Sequence, residues 1–370
     1  MKIGLVVNPI AGMGGRVGLK GTDGAGTVAM ALERGAVPQS GLRTRRALQR
    51  LASRAPDACL TVAAGDLGAR WAEGLGLNLI VADLPAPTGT PNDTHLAVKT
   101  LADCDVVLFA GGDGTARDVD AATTPNQAIL GIPCGVKMHS GVFAVTPDAA
   151  GAMVADMLFM PDRITWNDAA EVMDIDEQAL REGHIAPALY GYARVPVLRN
   201  RMQAAKGGPR INSGTALADA AAEIVARMDH DTAYIIGPGT SAGAVIQAAG
   251  YTPTLLGIDV MLDGAVVGRD VDAAKLEMIT AGRKVRAILG VTGQQGFLIG
   301  RGNQQISPDV LSRATRDGLI VLASDDKLRG LAHPVLWIDS GDPDLDAAFS
   351  GFVRVHTGKG RQTMMRLSAG

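Results

Sequence analysis

The chain has 370 residues, which is too long for one ordinary domain and predicts two. Hydrophobic residues make up 47% of the sequence and aromatic residues only 4%, so aliphatic side chains must fill the cores. The formal net charge of -3 argues against a nucleic-acid partner and an anionic membrane surface, and no apolar run approaches the roughly 20 residues that a membrane helix needs.

Short apolar runs alternate with segments of helical spacing in the first half of the chain. This alternation predicts a doubly wound parallel sheet, and hence the α/β class. Helical spacing is found at residues 41–55, at residues 94–101 with Thr94 as the N-cap, and at residues 148–160. The predicted strands are residues 2–7, 60–64, 78–83, 105–110 and 128–133.

The composition shifts after Pro147, and Pro161 ends the preceding helix, so we place a domain boundary near residues 161–166. Residues 1–160 are the predicted α/β nucleotide-binding domain. Residues 161–370 are a predicted second domain of mixed α/β structure, whose C-terminal strands could return to the first. An Ala-rich helix is predicted for this domain at residues 216–228. Its predicted strands are residues 171–175, 188–197, 234–236, 255–262, 285–291, 319–323, 335–338 and 352–356.

Gly111-Gly112-Asp113-Gly114-Thr115 directly follows a predicted strand, and a helix can start after it. In an open parallel sheet, ligands bind beyond the carboxyl ends of the strands. Glycine lets phosphate oxygens approach main-chain N–H groups, and the helix N-terminus adds a partial positive charge, so the segment predicts a phosphate-binding loop. Asp113 could hold Mg²⁺ or accept a proton from an attacking hydroxyl, and Thr115 could donate to a phosphate. The alternative is a Gly-rich turn in which Asp113 caps the helix.

Two further loops are expected at the same edge of the sheet, because the ends of neighbouring parallel strands converge on one crevice. Asn8 follows the first strand and can reach the ligand of the GGDGT segment, unless it only closes an ordinary turn. In residues 131–144, Lys137 is a candidate phosphate contact, and His139 and Ser140 are candidates for hydrogen bonds to ribose or phosphate. A surface histidine is the alternative for His139.

Two segments of the second domain carry residues suited to binding anions. In residues 237–244, another link from a strand to a helix, the backbone of the loop can form a nest of donors for an anion or a ribose, or else a tight turn with a hydroxyl cap. In residues 300–305, Arg301 can pair with phosphate through two nitrogens, with Asn303 beside it, or the segment is a polar turn. The residues of the first loop that we single out are Gly239, Thr240, Ser241 and Ala242.

Acidic residues crowd one predicted strand end in the second domain. Metal binding, a carboxylate that binds a hydroxyl group and a simple solvated strand end all remain open for them. They are Glu171, Asp174, Asp176 and Glu177.

Cysteine use and the first residues indicate the compartment. Cys59, Cys104 and Cys134 lie far apart and lack CxxC spacing, which is typical of small buried hydrophobes in a reducing compartment. Residues 1–7 are a short apolar strand that runs into Asn8, without the long apolar stretch of a signal peptide. We therefore expect a cytoplasmic protein.

Asn8-Pro9-x-Ala11-Gly12 together with the GGDGT segment resembles the superfamily of NAD kinases, diacylglycerol kinases and sphingosine kinases. Glu171-Val172 resembles their Asn-Glu-Val-Val element, with Ala170 in place of the asparagine. Residues 237–242 resemble a diverged Thr-Gly-Ser-Thr-Ala-Tyr loop, with Gly243 in place of the tyrosine. Over nearly its full length the chain is similar to the bacterial ATP-NAD kinase-like branch that includes the acetoin-catabolism AcoX proteins.

The resemblance implies a role for several of these residues. Asp113 would be the base that orients the adenosine ribose 2′-hydroxyl of NAD, and Glu171 would lie near a ribose or the nicotinamide. The remaining glycines of the GGDGT segment and Thr115 would hold phosphates. The dinucleotide pocket would be lined by Thr240, Ser241 and Ala242.

The sequence thus predicts a small-molecule kinase that phosphorylates NAD at the adenosine ribose 2′-hydroxyl with ATP and Mg²⁺. Two alternatives remain: a kinase for another hydroxylated metabolite, and a non-catalytic NAD(H)-binding regulatory protein of a catabolic pathway. The resemblance also implies a homo-oligomer. We expect neither a nucleic acid nor a membrane as partner.

Overall fold

A computed structural model describes residues 1–19, 25–135, 138–175, 187–197, 214–292 and 295–370. In its N-terminal part, five parallel strands form one sheet in the order β3-β2-β1-β4-β5. The strands are β1 (Ile3–Val7), β2 (Cys59–Ala63), β3 (Asn78–Ala82), β4 (Val106–Gly111) and β5 (Ala128–Pro133). The helices of this part are α1 (Ala25–Glu33), α2 (Ser40–Arg54), α3 (Ala69–Ala72), α4 (Pro91–Thr100), α5 (Asp113–Ala122) and α6 (Pro147–Phe159).

The three strands β1, β4 and β5 are buried along their whole length, as expected for apolar runs covered by helices on both faces. The strand order reverses between β1 and β4, and Val7 pairs with Ala110, so these two strands end at the same level. This reversal is the topological switch point of the sheet, where open α/β sheets bind ligands. The predicted parallel sheet is confirmed.

Helix α4 corrects one local prediction. We expected Thr94 to cap it, but the helix begins at Pro91, with Thr90 before it and Thr94 buried within it. The carboxylate of Asp93 accepts hydrogen bonds from the N–H groups of Thr88, Gly89 and Thr90 and so closes the turn ahead of the helix. Proline suits the first helical position, because its fixed φ is helical and its missing N–H would be unpaired there.

The second part contains a nine-stranded mixed sheet in the order β10-β9-β8-β11-β13-β15-β16-β14-β12. A second domain of mixed α/β structure is therefore confirmed. Its strands are β8 (Thr232–Ile236), β9 (Asp259–Leu262), β10 (Ala265–Gly268), β11 (Lys284–Gly290), β12 (Phe297–Ile299), β13 (Leu319–Leu322), β14 (Val335–Ile338), β15 (Gly351–Gly358) and β16 (Arg361–Ser368). Its helices are α7 (Gly214–Ala226), α8 (Thr240–Ala248), α9 (Ala273–Thr280), α10 (Pro308–Ala314), α11 (Asp325–Arg329) and α12 (Pro343–Phe349).

A two-stranded antiparallel hairpin, β6 (Thr165–Ile175) and β7 (Pro187–Val197), connects the two sheets in the chain. Its inner face is buried in the same hydrophobic cluster as Val119 of α5 and Ile129 of β5. The hairpin therefore packs on the N-terminal part. The residues of its inner face are Ala170, Val172, Ala193 and Val195.

The far edge of the second sheet also packs on the N-terminal part. Phe297 of β12 and Trp337 of β14 are buried in one cluster with Leu5 of β1 and Leu108 of β4. The N-terminal core is thus completed by strands that lie about 190 residues or more beyond β4 in the chain. In the described part of the chain, no helix is long and apolar enough to cross a bilayer.

Candidate active site

The two glycines that open the GGDGT loop (residues 111–115) have different surroundings. A Cβ atom added at Gly111 would overlap the side chain of Thr115, so glycine is required there by packing. Gly112 precedes α5 with extended backbone angles (φ -114°, ψ -164°), and a Cβ atom added to it would lie 3.6 Å from the Cα of Gly135. Among the described residues, the loop therefore leaves room beside Gly112, next to the N–H groups of the first turn of α5, which have no partner within the helix.

Asn8 lies against this loop. Its Nδ2 donates to Thr115 Oγ1 at 2.9 Å, and its Oδ1 accepts the N–H of Ile10 at 3.2 Å. The Asn8 N–H in turn donates to Ala110 O at 3.0 Å, across the switch point. Asn8 and Thr115, which sequence reasoning placed at one ligand, are thus in direct contact, and their polar atoms hold the loops after β1 and β4 together.

Asp113 is 7% exposed and is surrounded by hydrogen-bond donors. Its Oδ2 accepts the N–H of His139 at 2.6 Å and lies 3.2 Å from His139 Nδ1. Its Oδ1 accepts the N–H of Ser140 at 3.0 Å and the Ser140 hydroxyl at 2.6 Å. Since an ionised carboxylate can only accept, the His139 contact places that ring's proton on Nδ1. His139 is 3% exposed, so the alternative of a surface histidine is wrong.

Residues 138–141, which we call the clamp loop, also bond to β6. The Ser140 hydroxyl accepts the N–H of Met173 at 3.0 Å, and the N–H of Gly141 donates to Glu171 O at 2.9 Å. Glu171 is half-buried at this junction. Helix α5, the clamp loop and β6 are therefore joined in one hydrogen-bonded unit. The candidate Lys137 lies outside the described residues.

One residue of the acidic strand end, Asp174, is not solvated. Asp174 is buried, and one of its oxygens lies 2.8 Å from Arg117 Nη1 of α5. Asp176 and Glu177 lie outside the described residues. In the part of the chain that the structure describes, no group of three or more His, Cys, Asp or Glu side chains could hold a metal ion.

Arg301 and Asn303 lie at the junction of the two parts. Asn303 closes its own turn, because its Oδ1 accepts the N–H of Gly300 at 2.9 Å and its Nδ2 donates to Leu298 O at 2.9 Å. Arg301 is 5% exposed, lies over the Phe297 ring, and donates to the backbone oxygen of Val145 at 3.3 Å. Burial lowers the pKa of its guanidinium to about 10. Asn303 is thus engaged by its own turn, whereas the Nε of Arg301 is buried without a hydrogen-bond partner among the described residues.

The loop before α8 lies at the carboxyl end of β8. Gly239 has a φ of +98°, which favours glycine, and its N–H donates to Leu255 O at 2.8 Å. Ser241 and Ala242 are buried in the first turn of α8. Among the hydrogen bonds and ion pairs of the described residues, none joins residues 239–242 to the GGDGT loop.

Two glutamines that the sequence did not single out hold the loop after β5. Gln295 donates to Met138 O at 2.7 Å, and Gln304 donates to Gly135 O at 3.3 Å. Gln295 follows β11, whose last residue, Gly290, lies beside Ser241. The edge of the second sheet at which β8 and β11 end therefore faces the clamp loop. Gln304 lies in the segment 300–305 that the sequence analysis singled out, whereas no sequence signal pointed to Gln295.

Solved structures described as a diacylglycerol kinase from Bacillus anthracis str. Sterne are similar to the chain at 14% identity. They match 46% of this chain and 44% of their own, with a TM-score of 0.25. The chain thus covers less than half of their length, and so small an overlap carries no conclusion about fold or function. No curated protein matches the sequence.

The models of one protein family match both parts of the chain. The ATP-NAD kinase N-terminal domain matches residues 3–159, and the ATP-NAD kinase C-terminal domain matches residues 232–367. The first match contains the GGDGT loop and Asn8, and the second contains residues 239–242 and Arg301. The two domain models of this family of small-molecule kinases together match most of the chain, so the protein belongs to the ATP-NAD kinase family.

Proposed function

We propose that this protein transfers a phosphoryl group from ATP to the adenosine ribose 2′-hydroxyl of NAD. The observation that carries the proposal is that, among the described residues, a Cβ atom at Gly112 would meet only the Cα of Gly135, at the N-terminus of α5 and at the switch point of a sheet from a kinase family. Backbone N–H groups and the helix dipole together favour a phosphate at such a place. We also propose that the protein acts in the cytoplasm as a homo-oligomer.

Phosphoryl transfer needs positioning and charge neutralisation more than covalent chemistry. In this proposal Gly112, Gly114 and the first turn of α5 hold the phosphates of ATP, while the bond between Asn8 and Thr115 fixes the loop. Mg²⁺ would enter with the nucleotide and would neutralise the charge of its phosphates, as is common for this ion.

The acceptor lies on the other side of the clamp loop in this proposal. Glu171 offers a carboxylate to the hydroxyl groups of a ribose, and residues 239–242 follow β8 at the edge of the second sheet that faces the clamp loop. Arg301 follows β12 and contacts Val145. Gln295 links that edge to Met138. NAD would therefore lie between the two sheets, with its adenosine ribose beside β6.

The direct test is to incubate the purified protein with ATP, Mg²⁺ and NAD⁺ and to measure NADP⁺ with a dehydrogenase specific for it. We expect NADP⁺ to form, and the Gly112→Ala variant, whose added methyl group lies where phosphate would approach, to form much less. Failure to form NADP⁺ with any phosphoryl donor would refute NAD as the acceptor. Calorimetric binding of NAD without turnover would then identify a regulatory protein.

Another hydroxylated metabolite as acceptor is the second candidate. Residues 160–231, which contain Glu171, lie between the two family matches, and Ala170 stands where the resembling element has asparagine. An assay for ADP release with a panel of sugars, polyols and nucleosides separates the candidates. Faster ADP release with one of these than with NAD⁺ would favour the second.

A further inference from the structure

Arg301 carries a positive charge that is buried without a close counter-ion. The residue is 5% exposed, and among the described residues no carboxylate oxygen lies within 4.0 Å of its guanidinium nitrogens. Its guanidinium contacts the Val145 carbonyl oxygen and the Phe297 ring, while its Nε has no hydrogen-bond partner in the same part of the chain. Asp339 acts on this charge electrostatically, but Asp339 takes its hydrogen bond from Arg43. A buried cation in this state is costly for the folded protein, which indicates an anion that binds to it.

The segment that carries Arg301 borders the GGDGT loop. Gln304, in the same segment, donates to Gly135 O at 3.3 Å, and a Cβ atom at Gly112 would lie 3.6 Å from the Cα of the same Gly135. Burial lowers the pKa of the Arg301 guanidinium to about 10, and nearby acids, Asp113 among them, act in the opposite direction. Arg301 is therefore charged at neutral pH and lies within electrostatic reach of the loop that is proposed to hold the phosphates of ATP.

We infer that Arg301 is a binding residue for the phosphate at the N-terminus of α5, so that the second part of the chain completes a site whose loops belong to the first. The inference rests on the proposed function for the identity of this anion, a phosphate of ATP. A guanidinium presents N–H groups in a plane and pairs with two phosphate oxygens at once. The free Nε is one of the donors that such a pair can use.

A binding role and a structural role of this arginine predict opposite effects on the ligand-free protein. A structural arginine stabilises the fold through its partners, as Arg43 does through its hydrogen bond to Asp339. A binding arginine without its anion destabilises the fold, because the loss of its hydration is offset only when phosphate arrives. Removal of the charge at position 301 therefore distinguishes the two roles before any nucleotide is added.

The first experiment measures urea unfolding of the ligand-free protein. Arg301→Met keeps an unbranched side chain and removes the charge, so we expect its unfolding midpoint to equal or exceed that of the wild type. Arg43→Met is the matched control and should lower the midpoint, because it leaves Asp339 buried without its hydrogen-bonded partner. A midpoint for Arg301→Met as low as that for Arg43→Met would assign Arg301 to structure alone and overturn the inference.

The second experiment measures the Kd of ATP with Mg²⁺ by isothermal titration calorimetry, and then the Kd of inorganic pyrophosphate. We expect both values to rise at least about tenfold in Arg301→Met, as the loss of a hydrogen bond to a charged group predicts. Arg301→Lys keeps the charge without the planar fork and should give a smaller rise, so this variant carries the test if Arg301→Met does not fold. Arg54→Met removes an arginine that binds Ala152 O and Asp156, and it should bind ATP as the wild type does.

The outcomes separate this inference from the proposed acceptor. Wild-type Kd values for ATP and pyrophosphate in the Arg301 variants would overturn the inference, whether or not NADP⁺ is formed. A Kd that depends on Arg301 in a protein that forms no NADP⁺ would refute NAD as the acceptor and support the inference. In the latter case ATP should also raise the unfolding midpoint of the wild type more than that of Arg301→Met, since a ligand stabilises a protein according to its affinity.

Discussion

At the scale of single residues, the glycines of the GGDGT loop divide into two kinds. Gly111 is glycine because the Thr115 side chain occupies the place of its Cβ atom. Gly112 meets no such obstacle, and its φ of -114° is open to any residue. Sequence reasoning gave both residues one role, the approach of phosphate. The structure assigns Gly111 to packing and leaves Gly112 as the position where an added methyl group tests binding.

The variants Gly111→Ala and Gly112→Ala should therefore fail in different ways. We expect Gly111→Ala to lower the free energy of unfolding by about 1–3 kcal/mol, as overpacking does in a filled core. Gly112→Ala should change it by less than about 0.5 kcal/mol and weaken ATP binding at least about tenfold. Urea unfolding and isothermal titration calorimetry measure the two effects. Wild-type affinity in Gly112→Ala would contradict the phosphate site.

The three cysteines also differ at this scale. Cys104 and Cys134 are buried, as the sequence predicts, whereas Cys59, at the start of β2, is exposed and corrects that prediction. Burial raises the pKa of the Cys134 thiol to about 12 and raises the pKa of the Cys104 thiol as well. The reactive form of cysteine is the thiolate, so neither buried residue offers it near neutral pH.

Alkylation with iodoacetamide at pH 8 should therefore modify Cys59 alone in the folded protein. In guanidinium chloride all three cysteines should react. Mass spectrometry of tryptic peptides locates the adducts, and the Cys59→Ser variant is the control, which should take up none while folded. Rapid labelling of Cys134 in the native protein would contradict its burial.

At the scale of elements, helices α2 and α6 cross closely because a residue at the crossing has no side chain. A Cβ atom at Gly151 of α6 would overlap the backbone oxygen of Ala47 of α2. The side of α6 around Gly151 is buried, and Arg54 of α2 donates to Ala152 O at 3.1 Å beside the crossing. This crossing covers one face of the N-terminal sheet, so its spacing sets the packing of the core.

Replacing Gly151 by alanine should force the two helices apart. We expect a loss of about 1–3 kcal/mol in the free energy of unfolding, because a backbone atom cannot move aside as a side chain can. Gly26→Ala in α1, where an added Cβ atom meets nothing within 4 Å, is the control and should be neutral or slightly stabilising. Thermal unfolding compares the two variants. Equal melting temperatures of the Gly151→Ala and Gly26→Ala variants would show that α2 and α6 pack less closely than in the structure.

At the scale of the whole molecule, a buried network of charges joins the two parts. Asp339, which follows β14 and has no exposed side-chain surface, accepts a hydrogen bond from Arg43 of α2 and lies 3.8 Å from Arg46. Arg46 also pairs with Asp346 of α12 at 3.4 Å. Burial by itself would raise the pKa of Asp339, but Arg43, Arg301 and Arg46 outweigh it and hold that pKa below the ordinary value.

The Asp339→Asn variant should be strongly destabilised, since it leaves Arg43 buried without its charged partner. We expect a loss of about 3–5 kcal/mol at pH 7. The exposed pair of Arg361 and Asp325 is the control, and Asp325→Asn should cost at most about 1 kcal/mol. Urea unfolding measures both variants. A loss no larger than that of the control would show that the network adds nothing to stability.

The same variant carries a pH dependence with a defined sign. The pKa of Asp339 is lower in the folded protein than in the unfolded chain, where it is near 3.8. The Asp339 carboxylate therefore contributes fully to the free energy of unfolding above the unfolded-state pKa, and this contribution is lost as the pH falls through the folded-state pKa. The difference in unfolding free energy between wild type and Asp339→Asn should therefore be constant from pH 7 to about pH 5 and shrink below about pH 4. A difference that grows as the pH falls would contradict the assignment.

The sequence by itself determined the N-terminal sheet, the class of the second domain and the place of the GGDGT loop. Each of these depends on local pattern, because buried parallel strands are continuous apolar runs and the loop lies directly between a strand and a helix. Local pattern is weak for short or half-exposed strands. We therefore missed β10, β12 and β16.

Only the tertiary structure decided which groups face Asp113 and what joins the two parts. The donors to Asp113 come from residues 26 and 27 positions away, and Arg43 and Asp339 are separated by 296. No local period encodes such contacts, because they depend on which strand ends the fold brings to one edge. The GGDGT segment thus predicts a site from the sequence alone. Which groups surround its aspartate depends on hydrogen-bond donors that the fold brings close from other parts of the chain.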